Sequence, residues 1–242
     1  MPDGATTEFP ALIVTIDGPA GAGKTTVSRI LARRMGYRYV DTGALYRAVA
    51  LAALEEGIGA EDDEALALLC GRVKLDLVFS IEGSRLLLDG RDITDHIRTR
   101  QVTAMASAVS ARGPVRQFLL SLQRRLGAEK RVVLEGRDMG TVVFPGADVK
   151  FFLEATLAER ARRRHAEMDP ADRPSIEALT GEIERRDRND SSRELAPLRP
   201  APDAVHLDAT DLSPDEVVSR MLNHIRDNQC SGTFGSGSSD AQ

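Results

Sequence analysis

Short apolar runs alternate with amphipathic stretches along the first quarter of the chain. Residues 11–16 form a continuous run of branched apolar side chains, typical of a parallel strand buried on both faces. Apolar positions then recur at helical spacing over 27–35, and Gly36 predicts the end of that helix. A second strand at 37–41 and a second helix at 44–56 follow. This order predicts parallel strand–helix units with right-handed crossovers.

Between residues 57 and 113 the pattern changes. A helix is predicted at 61–72, and two strands at 74–80 and 85–88 are predicted to form a hairpin across Glu82-Gly83-Ser84. A hairpin beside a helix differs from the parallel units on either side. The pattern therefore predicts an α+β insertion within a parallel sheet.

The remaining pattern completes one α/β domain over residues 11–227. Residues 1–10 lack periodicity and are expected to form a loose arm, and the Gly/Ser-rich residues 228–242 are expected to be disordered. Further helices are predicted at 98–111, 115–126, 156–168, 175–188 and 214–227, and further strands at 131–135, 149–153 and 205–208.

Composition narrows the class of protein. The 242 residues carry a net charge of −5, which disfavours general nucleic-acid binding. No uncharged stretch approaches the ~18 apolar residues of a membrane helix, and residues 1–10 lack the basic start of a secretory signal. Cys70 and Cys230 fit neither metal-ligand spacing nor a disulfide framework. We expect a cytoplasmic protein in a reducing compartment.

The segment Gly18-Pro19-Ala20-Gly21-Ala22-Gly23-Lys24-Thr25 matches the phosphate-loop pattern in full. It follows a predicted strand and opens a helix that continues through Thr26, which is the context the pattern requires. Glycines allow backbone N–H groups to turn towards phosphate oxygens, and the helix N-terminus favours negative charge. Lys24 is expected to reach the β- and γ-phosphates of ATP, and the Thr25 hydroxyl to bind Mg²⁺.

A phosphate loop alone leaves several classes of protein open. A GTPase switch would need an Asn-Lys-x-Asp element, which the sequence lacks. An assembly ATPase would need a larger core than this length leaves. The remaining candidates are a kinase for a monophosphate or small metabolite, and a regulatory module with slow hydrolysis. A kinase needs a second site for its acceptor.

Two further segments follow predicted strands, at the sheet edge where open α/β sheets bind ligands. In the segment 41–47, Arg47 lies one turn into a helix, where its guanidinium could hold a monophosphate or could be a solvated helix charge. In the segment 135–138, Arg137 and Asp138 are expected over the cleft, or as a local ion pair in a turn.

Two arginine-rich patches flank a break rich in Pro and Asp. Such patches are often solvated helix faces, but in a phosphoryl transferase a mobile arginine-lined segment excludes water and stabilises charge on the transferring group. Candidates for that stabilisation, with Lys24, are Arg160, Arg164 and Arg186. The patches comprise Arg160, Arg162, Arg163 and Arg164, then Arg185, Arg186, Arg188 and Arg193.

Three segments together resemble the bacterial cytidylate kinases. They are residues 16–25, 41–47 and 135–145, and the similarity runs from about 12 to 227 and includes the insertion at 57–113. The block Gly136-Arg-Asp-Met-Gly-Thr-Val-Val-Phe-Pro145 is the most specific, because other phosphate-loop proteins lack it. The resemblance implies an α/β phosphate-loop kinase core with a monophosphate-binding insertion and a short lid at about 156–193.

The resemblance also implies a reaction and a set of site residues. ATP and CMP or dCMP would give ADP and CDP or dCDP with Mg²⁺, in pyrimidine nucleotide metabolism, on a cytoplasmic monomer. Arg47 and Arg137 would hold the acceptor phosphate, and Ser107, Arg116 and Asp138 would contact the base. The full set expected at the CMP site is Thr42, Arg47, Ser107, Arg116, Arg137, Asp138, Arg186, Asp190 and Arg193.

Cytosine chemistry agrees with this set. The base offers an amine donor at N4 beside acceptors at N3 and O2, so a carboxylate with serine and arginine donors is complementary. Uracil would place an acceptor oxygen against Asp138, and such polar mismatches discriminate strongly. Glu135 stands where the family often has aspartate and is not assigned to the metal. A kinase with a different acceptor and a slow-hydrolysis module remain the alternatives.

Overall fold

The computed structural model describes residues 9–80, 83–170 and 173–230. The strands are β1 (Ile13–Asp17), β2 (Arg38–Asp41), β3 (Leu75–Ser80), β4 (Gly83–Leu88), β5 (Arg91–Asp92), β6 (Val132–Gly136), β7 (Val149–Glu154) and β8 (Val205–Asp208). The helices are α1 (Lys24–Met35), α2 (Thr42–Glu55), α3 (Asp63–Arg72), α4 (Arg100–Val109), α5 (Gly113–Gly127), α6 (Leu157–Glu167), α7 (Ile176–Ser192) and α8 (Pro214–Cys230). A 3₁₀ turn at His96–Arg98 and a π-helix at Met139–Val143 complete the elements.

A parallel sheet in the order β2-β6-β1-β7-β8 forms the centre of the fold. Strands β1 and β6 bury nearly every side chain because helices cover both faces of the sheet. Helices α1 and α8 pack on one face through a core that includes Leu31 and Met221. The predicted α/β class is confirmed, and the carboxyl ends of β1, β2 and β6 meet at one edge.

The insertion forms its own layer beside this sheet. Strands β3, β4 and β5 pair antiparallel, and apolar residues of α2, α3, α4 and α5 form a core around Leu66 and Leu119. The predicted hairpin is confirmed, but its turn is shorter than the predicted segment 82–84. Gly83 and Ser84 already pair with Ser80 and Phe79. Residues 81 and 82 lie outside the described residues.

The two predicted boundaries of the domain need correction where the structure describes them. Phe9 belongs to the segment predicted as a loose arm, yet it is 3% exposed and packs in the core beneath the guanidinium of Arg226. One aromatic residue gives no periodic signal, so the pattern did not predict its burial. At the other end, α8 continues to Cys230 and takes in the first residues of the predicted disordered tail. The rest of the tail, 231–242, lies outside the described residues.

The π-helix follows β6 and had no counterpart in the predicted elements. Its bonds include Val143 N–H to the Asp138 carbonyl at 3.2 Å and Phe144 N–H to the Met139 carbonyl at 2.7 Å. Bonds spanning five residues are rare and occur frequently at functional sites. The element holds the chain directly after Asp138 close to the edge where β1, β2 and β6 end. Among the described helices, none combines the length and apolar character needed to cross a bilayer.

Candidate active site

A cleft of about 1060 Å³ opens at the carboxyl ends of β1, β2 and β6. The structure brings most of the predicted site residues to its walls, although they come from segments far apart in the sequence. Gly18, Pro19 and Arg160 are the predicted residues that do not line it. Those that do are Ala20, Gly21, Ala22, Gly23, Lys24, Thr25, Thr26, Thr42, Arg47, Ser107, Arg116, Arg137, Asp138, Arg164, Arg186, Asp190 and Arg193.

The phosphate loop, Gly18–Thr25, connects β1 to α1. At Gly18 the backbone has φ of 150°, and a Cβ there would overlap the carbonyl oxygen of Leu153, so only glycine fits. Gly23 caps α1 in the left-handed region with φ of 93° and has no side chain to bond the first turn. The N–H groups of that turn therefore face the cleft as an anion site.

Lys24 is held inside the loop by the loop's own backbone. Its Nζ donates to the carbonyl of Gly18 at 2.8 Å and to that of Pro19 at 2.6 Å, and the side chain is buried. Burial lowers the pKa of Lys24 from 10.5 to about 7, and the positive charge of Arg137 is the second-largest cause. The negative charge of Glu135 opposes the shift. The ammonium group is therefore short of negative partners.

Glu135 and Thr25 meet between the phosphate loop and β6. The Thr25 hydroxyl lies near the Glu135 carboxylate, which accepts from the Tyr39 hydroxyl. Burial, and after it the charge of Asp41, raises the pKa of Glu135. Thr42, predicted at the acceptor site, donates its hydroxyl to the Glu135 carbonyl at 2.6 Å and so ties α2 to β6. A hydroxyl beside a carboxylate is a set of hard oxygen ligands suited to Mg²⁺.

Across the cleft lies a group of four arginines, the arginine cluster: Arg47, Arg137, Arg186 and Arg193. Three buried guanidinium atoms of this cluster have no hydrogen-bond partner in the described part of the chain. They are Arg47 Nε, Arg186 Nε and Arg193 Nη2. Buried N–H groups are ordinarily satisfied, so the cluster carries unpaired donors and positive charge that an anion could neutralise.

Carboxylates balance part of this charge. Arg47 Nη2 lies 2.6 Å from Asp41 Oδ2, and Arg137 Nε lies 2.8 Å from Asp190 Oδ2. Burial raises the pKa of Asp190, but the charges of Arg137, Arg186 and Arg193 outweigh it and hold that pKa below its ordinary value. Burial, together with the charge of Arg137, lowers the pKa of Arg186 to about 10. Asp190 therefore stays ionised beside cations that lack enough negative partners.

A separate pair occupies the wall nearest the insertion. Arg116 from α5 is ion-paired with the buried carboxylate of Asp138 and donates to the Ser110 carbonyl at 3.1 Å. Its guanidinium lies 5.9 Å from the ring centre of Tyr46. Ser107 lines the same wall from α4. These groups offer an acceptor and several donors to a flat polar ring.

The position of Arg160 does not fit the expectation that this residue acts on the transferring phosphate. Its guanidinium lies behind the phosphate loop, where it donates to the carbonyls of Ala155 at 3.0 Å and Ala20 at 2.9 Å and pairs with Asp187. Asp187 in turn accepts from the Ala20 N–H at 3.2 Å. Arg160 therefore supports the loop. Arg164 does line the cleft, half exposed and 3.7 Å from Glu167.

Several functional neighbours were absent from the sequence prediction. From the sequence, Asp41 was named only as part of a motif. Asp41 caps α2 by accepting the Ala44 N–H at 3.1 Å, and an aspartate before a helix is a sequence signal that could have predicted this role. No sequence signal marks Tyr46 or Asp187, because their partners lie on other elements. Asp17, which ends β1 and bonds the π-helix, was likewise seen only as the residue before the phosphate loop.

Comparison with known proteins agrees with this geometry. Residues 14–227 match the family model described as Cytidylate kinase. The chain is 49% identical over 219 residues to the cytidylate kinase of Geobacter sulfurreducens, covering 90% of this chain and 94% of that relative. A cytidylate kinase from another Geobacter strain is 47% identical over 227 residues, covering 93% and 97%. An uncharacterized protein from Eubacterium ventriosum shares the fold, with a TM-score of 0.50, 11% identity and coverage of 89% and 98%.

Proposed function

Because the chain belongs to the cytidylate kinase family, we propose that ATP lies on the phosphate loop and that CMP or dCMP faces it across the cleft. The protein is an ATP-dependent phosphotransferase that produces CDP or dCDP in pyrimidine nucleotide metabolism. The observation that carries the assignment is the buried arginine cluster opposite the loop, in which the Nε groups of Arg47 and Arg186 have no hydrogen-bond partner among the described residues.

At the donor side, the loop binds the phosphates of ATP through its backbone. The first-turn N–H groups of α1 and the Lys24 ammonium hold the β- and γ-phosphates, since both lie at the cleft wall and are short of negative partners. Bound phosphate favours the protonated form of Lys24. The group then stabilises the charge that develops as the bond to the γ-phosphorus breaks.

Magnesium fits the oxygen ligands at this side. The Thr25 hydroxyl would bind the ion, with the Glu135 carboxylate as its neighbour. In the described ranges no group of three or more His, Cys, Asp or Glu side chains could hold a metal by itself. Mg²⁺ is commonly held by one or two protein oxygens together with nucleotide oxygens. When bound, it neutralises charge on the transferring group.

At the acceptor side, the arginine cluster holds the monophosphate. Arg47, Arg137 and Arg186 supply the N–H groups that bind its oxygens, while Asp190 and Arg193 lie near the pentose. Opposed sites of this kind bring the acceptor oxygen into line with the γ-phosphate, so positioning lowers the barrier without a covalent intermediate. Arg164, on the wall formed by α6, reaches the transferring group when the lid closes.

The wall formed by Ser107, Arg116 and Asp138 contacts the base. A cytosine N4 amine donates to the Asp138 carboxylate, and Arg116 and Ser107 donate to N3 and O2. Uracil places an oxygen against that carboxylate and is disfavoured. The pair of Arg116 and Asp138 already exists without nucleotide, so these groups need little reorganisation when CMP binds.

The rest of the chain serves this one site. We assign residues 11–227 to a single kinase domain, with 57–113 as the acceptor-binding insertion and about 156–193 as the lid with its flanking helices. A monomer is sufficient, because each group named above comes from one chain. Nucleotides are the ligands, with no role for nucleic acid or membranes, and the cytoplasm is the compartment where these substrates occur.

The test is ADP formation from Mg·ATP with the purified protein, alone and with CMP, dCMP, UMP, AMP or GMP in turn. Strong stimulation by CMP and dCMP alone is the expected result. Equal hydrolysis with and without acceptors would indicate a slow-hydrolysis module. Stimulation by a different acceptor would keep the kinase and reject the base assignment.

A further inference from the structure

The N-terminus of the π-helix is capped by a residue from another part of the chain. Asp138 stands at the capping position, where an aspartate ordinarily accepts N–H groups of the first turn, yet its side chain makes no capping bond. The N–H groups of Met139 and Gly140 donate to Asp17 instead, at 2.9 Å to Oδ1 and 2.7 Å to Oδ2. Asp17 ends β1, 122 residues from Met139.

Capping by Asp17 instead of Asp138 affects where the Asp138 carboxylate points. With the helix capped by Asp17, the Asp138 carboxylate pairs with Arg116 at the base wall although it is only 2% exposed. A buried carboxylate must satisfy its lone pairs somewhere, and the nearby first-turn N–H groups are the local alternative. Asp17 removes part of that alternative by accepting the N–H groups of Met139 and Gly140.

Asp17 is suited to this role at neutral pH. Burial raises the pKa of Asp17 to about 6, against the lowering effect of the Gly140 and Met139 N–H groups. A pKa of about 6 leaves the group ionised above pH 7, as a carboxylate that accepts at both oxygens. The charge of Asp138 also raises the pKa of Asp17, which reflects how close the two carboxylates lie.

We propose that Asp17 is a positioning residue for the acceptor base: by capping the π-helix in place of Asp138, it keeps the Asp138 carboxylate at Arg116 and the nucleobase. The proposal rests on the base-contacting role proposed above for Asp138. Asp17 also precedes Gly18, whose carbonyl accepts from Lys24. One carboxylate thus joins the start of the phosphate loop to the residue that contacts the base.

The sharpest test is Asp17→Asn, which keeps the shape and removes one acceptor. The amide oxygen can accept one N–H, but the NH₂ group then faces the second donor. Asp138 is expected to turn towards the unsatisfied N–H and to leave Arg116. We expect kcat/KM for CMP to fall about tenfold or more, mainly through KM for CMP, and the CMP-to-UMP preference to fall with it. KM for ATP should stay within about twofold, since uniform loss of the fold would change both.

Asp148→Asn is a matched control, because Asp148 bonds the opposite end of β1 from Asp17. Asp148 accepts the Ile13 N–H at 2.7 Å, so the variant also weakens a carboxylate bond to β1. It lies away from the cleft and should leave the CMP-to-UMP preference unchanged. A double-mutant cycle adds a second readout, because Asp17→Asn should cost much less in the Asp138→Asn background. Independent structural damage would instead be additive.

The outcomes separate this inference from the proposed function. A preference lowered by Asp138→Asn but unaffected by Asp17→Asn would overturn the positioning role and leave the base assignment intact. A preference unaffected by either variant would reject the role of Asp138 and the inference that rests on it. Should Asp17→Asn fail to fold, Asp17→Ser, with one small acceptor, is measured in its place against the same criteria.

Discussion

The phosphate loop is one continuous segment, Gly18–Thr25, whereas the arginine cluster draws on three separate segments: Arg47 from α2, Arg137 from the end of β6, and Arg186 and Arg193 from α7 and its C-terminal cap. The loop presents backbone N–H groups whose direction is set by glycine dihedral angles. The cluster presents side chains that carboxylates hold in place. A site made of backbone depends on local conformation, while a site made of side chains depends on the packing of the whole domain.

The difference extends to how each site tolerates its own charge. Lys24 is one buried cation that responds by lowering its pKa to about 7. The four arginines of the cluster cannot easily lose a proton, and Asp41 and Asp190 neutralise part of their charge. The charge of the loop is therefore reduced by deprotonation of Lys24, whereas the charge of the cluster is balanced by ion pairs.

Among these changes, Lys24→Met should cause the largest loss of activity, because it removes the cation at the ATP-binding side of the cleft. Removing a preorganised cation at the developing charge should lower kcat by on the order of 10³-fold, while the fold survives because the loop conformation is set by glycines. Steady-state kinetics with CMP and circular dichroism measure the two effects. Lys74→Met, at a largely exposed lysine, is the matched control. Normal turnover in a folded Lys24→Met would reject the phosphate-loop assignment.

Asp190→Ala tests whether the acceptor side depends on its ion pairs. The change leaves Arg137 and Arg193 buried with less compensation, so stability should fall by about 3 kcal/mol, the range for breaking a buried pair. KM for CMP should rise more than KM for ATP. Urea unfolding and kinetics measure both, with Asp215→Ala at the exposed Arg34 pair as a control that changes little. An equal loss of stability in Asp190→Ala and Asp215→Ala would contradict the view that the acceptor side depends on its buried ion pairs.

The protonation of Lys24 gives the smallest expected effect. At pH 8 the free enzyme holds Lys24 mostly neutral, because its pKa of about 7 lies below the pH. The phosphates of ATP raise that pKa, so binding should take up a fraction of a proton per site. Calorimetry of Mg·ATP binding in two buffers of different ionisation enthalpy measures the uptake. A Lys24→Met variant should lose it, and proton release by the unaltered protein would contradict the sign.

The same division explains what could be predicted from the sequence. The loop, the parallel sheet and the hairpin insertion depend on spacing within short segments, so the pattern was sufficient. The position of Arg160 was not predictable, because it is set by Asp187 on a different helix. The capping of the π-helix by Asp17 crosses 122 residues. The resemblance supplied acceptor residues that local patterns alone left open, such as Ser107 and Asp190, and their roles remain predictions.

The packing of Phe9 beneath Arg226 also suggests a circular permutation of this chain. The contact, 5.5 Å from the guanidinium carbon to the ring centre, brings the lead-in to β1 next to the last helix. Joining the chain near these two residues with a short linker would need little rearrangement. New ends could then open in the β3–β4 hairpin of the insertion. Such a circular permutant would keep the central sheet continuous and move both chain ends to the insertion at 57–113, where a label attached to either end would report on that part of the fold.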